Sequence, residues 1–190
     1  PNAYFMYSSS VSVYGDRLSN PNIKVTDPLI ASEGDEYALT KIEAEKYIHN
    51  SGLNYTIFRL SAIMGVQNHK LSKLMFHMPL ETRMEIVTPP DTARVFVNAL
   101  DKKEILIGKI FNLGGGEKCR LTYRQLLEKS FELYGLGKLN FHPKTFAEKN
   151  FHCGYMVDSD DLEEILKFRT HALEDYFFMT QKSIPWIQKK

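Results

Sequence analysis

The N-terminal third alternates apolar runs with polar breaks in a way that predicts strand, helix and strand. Tyr4-Phe5-Met6-Tyr7-Ser8 is a continuous apolar and aromatic run ending in small polar residues, which predicts a strand buried on both faces whose end opens into a site. Leu18 to Gly34 carries Pro21, Pro28, Asn20 and Asn22 with little periodicity and reads as a surface loop. From Asp35 or Glu36 to Asn50 the spacing of Ala38, Ile42, Ala44, Tyr47 and Ile48 predicts a helix with a broad apolar face, stopped by Ser51-Gly52. Tyr55 to Leu60 is rich in β-branched and aromatic residues, a second buried strand. A helix between two such strands is the βαβ pattern of a parallel sheet, so the fold class is α/β.

The remaining elements are shorter. Ser61-Ala62-Ile63-Met64-Gly65 reads as a small-residue turn, and Leu71 to Met78 as a short helix stopped by Pro79. Glu85-Ile86-Val87 is extended. Asp91 is the expected N-cap of a helix through Leu100 that turns Ala93, Phe96, Val97 and Leu100 inward. Lys109 to Leu113 is a third strand candidate. Gly114-Gly115-Gly116 lacks the spacing of either glycine-rich phosphate loop, and the next helix starts only at Thr122, so a flexible turn is expected. Thr122-Tyr123-Arg124-Gln125 has the form of a capping box, opening a helix that closes at Tyr134-Gly135. Leu139 to His142 is expected to be a strand of a small lobe. Asp158 or Ser159 is expected to cap a helix to Lys167, with a last helix from Leu173 to Gln181.

Composition narrows the function classes. A chain of 190 residues, 43% hydrophobic, can bury a core and fits one domain or a domain plus a small lobe. Lys and Arg number 24 against 23 Asp and Glu, with no basic block beyond Lys189-Lys190, which argues against nucleic acid as partner. No apolar run approaches the ~18 residues of a membrane span, so no membrane partner is expected. Cys119 and Cys153 lack Cys-x-x-Cys spacing and a matching histidine pattern, which argues against zinc and fits free thiols in a reducing cytoplasm.

Candidate chemistry sits on two of these elements. Tyr37 and Lys41, four apart, face the same way along a helix. An ammonium beside a phenol favours the phenolate, which would make Tyr37 a general acid or base. The spacing alone is common in amphipathic helices. Ser8-Ser9-Ser10-Val11-Ser12 lies at the carboxyl end of the first strand, where open parallel sheets bind ligands, although by itself the stretch reads more readily as a serine-rich turn capped by Gly15-Asp16. His69, Lys70, Lys73, Arg83 and Arg124 are further candidates for meeting a diphosphate, although solvated surface explains each as well.

Three pieces thus stand in order: a strand ending Ser8-Ser9-Ser10-Val11-Ser12-Val13-Tyr14-Gly15, the Tyr37-x3-Lys41 helix, and a strand ending Arg59-Leu60-Ser61-Ala62-Ile63-Met64-Gly65. Together they resemble the second half of an extended short-chain dehydrogenase/reductase of the NAD-dependent epimerase/dehydratase family. Thr88 to Leu100, Phe111 to Glu117, Thr122 to Leu127 and Met156 to Asp175 continue the likeness. The resemblance implies a Rossmann-like NAD(P)-binding fold without its N-terminal glycine-rich half. Residues 1–116 would hold the C-terminal half of the catalytic domain, interleaved with a substrate lobe at about 65–90, and 117–190 mainly the substrate-binding lobe. It implies NAD or NADP as cofactor, a small-molecule substrate such as a nucleotide-sugar, and a homodimer through the Tyr37 helix and the one after the serine strand region, where Tyr47 and Ile48 would either serve that contact or be core. By position, Tyr37 would be the acid/base, Lys41 would hold the nicotinamide ribose, and Ser10 would bond the reacting oxygen. Ser12 would face the substrate, and Ser8, Leu60 and Ile63 would lie on the cofactor side. Leu60 and Met64 stand where the family usually has proline and tyrosine. With the glycine-rich half missing, the isolated chain is expected to bind NAD(H) poorly. Two other readings stay open: a non-catalytic binding or regulatory module of the same fold, and a reductase of a non-sugar carbonyl.

Overall fold

The computed structural model describes residues 3–66 and 73–185. The candidates His69 and Lys70 lie outside them, as do Leu71, Ser72 and the Lys189-Lys190 end.

In chain order the elements are β1 (Tyr4–Ser10), β2 (Asn22–Ile23), α1 (Glu36–His49), β3 (Asn54–Leu60), β4 (Ala62–Ile63), β5 (Arg83–Val87), α2 (Pro89–Leu100), α3 (Lys103–Leu106), β6 (Lys109–Leu113), β7 (Arg120–Thr122), α4 (Tyr123–Leu133), β8 (Tyr155–Met156), α5 (Asp160–Leu166) and α6 (Leu173–Ser183). The principal sheet is parallel in the order β1-β3-β6, with Ser10 opposite Leu60 and Leu60 opposite Leu113 at the carboxyl edge. Strand β3 is buried almost throughout because both faces are covered. Its Tyr55 and Ile57 meet Ile48 of α1. The alternate residues Phe58 and Leu60 point the other way, into a core with Val95 and Ala99 of α2, Leu106 of α3 and Leu162 and Leu166 of α5. The result is helix, sheet and helix in three layers.

Strand β1 departs from the expected double burial. Only Ser9 is fully buried, and Phe5 and Ser8 are exposed, because β1 pairs with β3 along one edge and has no partner on the other among the described residues. The expected surface loop 18–34 contains β2, whose Ile23 is fully buried and which pairs in parallel with β8. The Ser61–Gly65 turn contains β4, paired with β5, and β5 in turn pairs antiparallel with β7.

Helix ends follow local chemistry. Asp35 caps α1 by accepting from the Ala38 amide at 2.9 Å. Helix α2 starts three residues earlier than expected, with Thr88 as cap and prolines in its first turn. Asp91 is therefore inside the helix and buried. The inward face is Asp91, Thr92, Val95 and Ala99; of the residues expected inward, Phe96 is half-buried, whereas Ala93, Val97 and Leu100 are exposed. Thr122 and Gln125 form the expected capping box of α4. The segment 139–142 is not a strand. It is a loop whose Phe141 packs edge-on against Phe76 and Phe131.

A second core gathers Met64, Met78, Met84 and Ile86 with Cys119, Leu121, Tyr123, Leu126, Leu127, Phe146, Cys153 and Tyr176. Cys119 and Cys153 are separate free thiols, and burial pushes their pKa up to about 11 and about 12. No helix among the described residues is long and apolar enough to cross a membrane.

The glycine triplet is packed rather than flexible. A Cβ on Gly114 would stand 2.0 Å from Glu85 Oε1, and one on Gly115 would stand 2.2 Å from the Ile86 carbonyl oxygen. Absence of side chains lets the strand end close over Glu85, whose Oε1 accepts from the Gly116 amide at 2.9 Å.

Candidate active site

Helix α1 crosses β1 so that its polar stripe meets the serine-rich strand end. Lys41 Nζ donates to the Ser8 carbonyl oxygen at 2.8 Å and stands 4.8 Å from the Tyr7 ring centre and 5.6 Å from that of Tyr37. The Tyr37 ring is thus beside a fixed cation, with 56% of the residue exposed. The sheet edge supplies the other residues. Ser10 ends β1 and caps the 3-10 turn Val11–Tyr14, its Oγ accepting from the Ser12 amide at 3.2 Å. That bond uses an acceptor lone pair and leaves the Ser10 hydroxyl proton free to donate elsewhere. Ser12 is fully buried, and its hydroxyl has no hydrogen-bond partner among the described residues. The Ser61 hydroxyl, at the end of the neighbouring strand, is in the same condition.

The remaining expected residues divide. Ser8 is exposed and is held by its backbone oxygen, whereas Leu60 packs into the core with Phe58 and Leu113. Ile63 is 40% exposed on β4. Lys73 and Arg83 are exposed, and Arg124 is engaged by Glu81 Oε1 at 2.7 Å. On α1, Tyr47 is 78% exposed rather than inward, whereas Ile48, expected either inward or as a dimer contact, is inward on Tyr55 and Ile57.

Buried on α1 beside the expected Ala38, Ile42 and Ile48 is Glu45, which the apolar pattern did not single out. Arg59 donates to it from Nε at 3.1 and 3.2 Å and from Nη2 at 2.7 Å, and Ser9 Oγ donates to its Oε1. Arg59 Nη1 donates to the Tyr14 hydroxyl and to the Val25 carbonyl, both at 2.8 Å. Tyr14 passes the chain on to Asn112 Oδ1 at 2.6 Å, and Asn112 Nδ2 donates to Asp158 Oδ1 at 2.8 Å. Burial pushes the Tyr14 phenol up to about 12, the Arg59 charge opposing it, so Tyr14 stays a neutral donor. One signal for this network was visible. Arg59 is a charge in an otherwise apolar buried strand, which demands a partner.

The loop before α1 is tied to the C-terminal region. Asp16 accepts from the Asn150 and Phe151 amides at 3.1 and 3.4 Å, and His152 Nδ1 lies 3.5 Å from Oδ2 of the cap residue Asp35. Burial holds His152 below its ordinary pKa, against the pull of Asp35. Among the described residues, no group of three or more His, Cys, Asp or Glu converges in a way that could hold a metal ion.

A parallel three-layer α/β fold with helix α1 laid across the serine-ended strand β1 defines the class as Rossmann-like. The NAD dependent epimerase/dehydratase family matches residues 2–114, more than half of the chain, and the chain belongs to that family. Among solved structures it is similar to UDP-glucuronic acid 4-epimerase from Bacillus cereus, crystallised with UDP-glucuronic acid and NAD: 20% identity, TM-score 0.71, covering 94% of this chain and 60% of that one. The dTDP-glucose 4,6-dehydratase from Streptomyces venezuelae, crystallised with NAD, gives 21% identity and TM-score 0.70 over 94% and 59%. A functionally unknown conserved protein from Silicibacter pomeroyi gives 18% identity and TM-score 0.72 over 94% and 65%. The chain thus spans about 60% of the length of the first of these structures, and the likeness is one of fold. No curated protein matches.

Proposed function

We propose that this chain carries the catalytic residues of an NAD(P)-dependent epimerase or dehydratase acting on a nucleotide-sugar or similar polar metabolite. The observation that carries the reading is the seating of Lys41 on the Ser8 carbonyl at 2.8 Å, beside the Tyr37 ring and at the carboxyl edge of the parallel sheet. The UDP-glucuronic acid and dTDP-glucose named for the structural neighbours support the substrate class.

The residues fit the nicotinamide-ribose end of the cofactor. The Lys41 ammonium has one donor engaged by Ser8 and others for ribose hydroxyls, while Ile63 is exposed on β4 just past the end of β3 and Leu60 is buried in the core. Gly114 to Gly116 do not suit a pyrophosphate, because they close over the Glu85 carboxylate. When bound, the nicotinamide supplies hydride transfer. Tyr37 takes a proton from, or returns it to, a substrate hydroxyl, and Lys41 keeps positive charge beside the phenol through that exchange. Ser10 donates its free hydroxyl proton to the reacting oxygen. Ser12 is 0% exposed and so offers no surface to a substrate in this conformation.

The free, buried Cys119 and Cys153 support a reducing cytoplasm, and the exposed Leu39 and Tyr47 of α1 support pairing of two copies through this helix. Tyr37→Phe in the full-length protein should lower turnover by roughly 10²–10⁴-fold with NAD affinity unchanged, because only the proton-carrying oxygen is lost. Steady-state rates and cofactor titration measure both. Undiminished turnover would refute the assignment and favour the binding module.

A further inference from the structure

Tyr37, Lys41 and Glu45 recur every four residues along α1 and so form one stripe on the helix. The stripe meets β1 at consecutive residues, Lys41 on the Ser8 carbonyl and Glu45 on the Ser9 hydroxyl, immediately before Ser10. These contacts differ in how firmly they are held. Tyr37 is largely exposed, whereas Glu45 is buried and gripped by three hydrogen bonds from Arg59. Arg59 belongs to β3 and is itself fixed by Tyr14 and Val25, so its guanidinium cannot follow a shift of the helix. A buried ion pair of this kind is weak evidence for stability, since apolar residues of similar volume often serve as well. What the pair does uniquely is define one position of α1, because bidentate geometry is lost on a small slide or rotation.

We propose that Glu45 and Arg59 are positioning residues of the site. They set the register of α1 against β1 and thereby where Lys41 meets Ser8 and where the Tyr37 phenol stands relative to Ser10. The inference rests on the reading of Tyr37 as acid/base. Neither Glu45 nor Arg59 touches substrate; both act through the helix.

The test is the double variant Glu45→Leu/Arg59→Met in the full-length protein, which removes both charges together and so leaves neither one buried alone. Expected is a fall in kcat of about ten- to hundredfold, with substrate KM and NAD affinity changed less than about threefold and cooperative urea unfolding retained. A folded double variant with kcat within about twofold of the parent overturns the proposal. If the double variant does not fold, Glu45→Gln takes its place. It keeps an oxygen for the Ser9 hydroxyl but loses the bidentate charge, and kcat per folded molecule should fall about three- to tenfold; an unchanged kcat overturns the proposal. Tyr37→Phe, run in parallel, separates the two ideas. If it retains turnover, the acid/base reading fails and positioning is judged from the crystal structure of whichever variant folds. There, a displacement of α1 by about 1 Å with loss of the Lys41–Ser8 bond is expected, and an unmoved helix overturns it.

Discussion

Glu45 and Glu85 are both buried carboxylates paired with arginine, but their surroundings divide the work differently. Glu45 joins a helix to a strand, and beyond the Ser9 hydroxyl its hydrogen bonds come from Arg59 alone, whose side chain is 5% exposed. Glu85 fills the hollow beneath the glycine turn, with Oε1 taking the Gly116 amide and the Ser159 hydroxyl and Oε2 taking Arg120 at 2.8 Å. The Arg120 side chain keeps 26% of its surface in water. A charge held by one buried cation is fragile to loss of that cation, whereas a charge shared among backbone and hydroxyl donors is buffered. The first arrangement transmits position and the second fills space.

The largest expected effect tests that difference. Arg59→Ala strands Glu45 in the interior and should cost about 3–5 kcal/mol in urea unfolding, whereas Arg120→Ala should cost about 1 kcal/mol once solvent screening is allowed for. Equal losses would break the distinction between a single-cation and a shared-donor carboxylate.

Local pattern carried the parts of the fold that depend on near neighbours. Tyr55 to Leu60 was legible as a buried strand, α1 through its spacing and Asp35 cap, and α4 through Thr122 and Gln125, because each signal lies within a turn or two of chain. What failed depended on distant partners. The apolar spacing points to Tyr47 and passes over Glu45, because the charge on Glu45 is answered fourteen residues away by Arg59. The expected face of α2 differs from the observed one because Asp91 is not its cap but a buried residue whose partners Thr170 and His171 lie about eighty residues on. The spacing of Gly114 to Gly116 excluded a phosphate loop but could not reveal Glu85 pressing beneath. At the site, motif order located Ser8, Ser10, Tyr37 and Lys41 on touching elements, while the burial of Ser12 and the Arg59 network required the three-dimensional packing.

A third carboxylate extends the comparison to pH. Burial acts to raise the Asp91 carboxyl, but hydrogen bonds from the side chains and amides of Thr170 and His171 outweigh it and hold the pKa below the ordinary 3.8. A depressed folded pKa contributes stability that is complete above the unfolded value and lost as pH falls through the folded one. Asp91 should therefore stabilise α2 at neutral pH and release it in acid. Asp91→Asn should show a smaller loss of stability than the parent between pH 5 and pH 2 by denaturant unfolding, and an identical pH slope would assign the bonding to geometry alone.

The smallest effect fixes the other end of the scale. Arg124 and Glu81 meet at 2.7 Å with geometry as close as that of Arg59 and Glu45, but their side chains are 45% and 68% exposed. In water the Coulomb gain is offset by hydration and by the entropy of two long side chains, so distance alone says little about strength. Arg124→Ala should change unfolding free energy by no more than about 0.5 kcal/mol, and salt should erase even that. A loss approaching that of Arg59→Ala would mean that contact distance rather than burial ranks these pairs, and the contrast between Glu45 and Glu85 would then need a different cause.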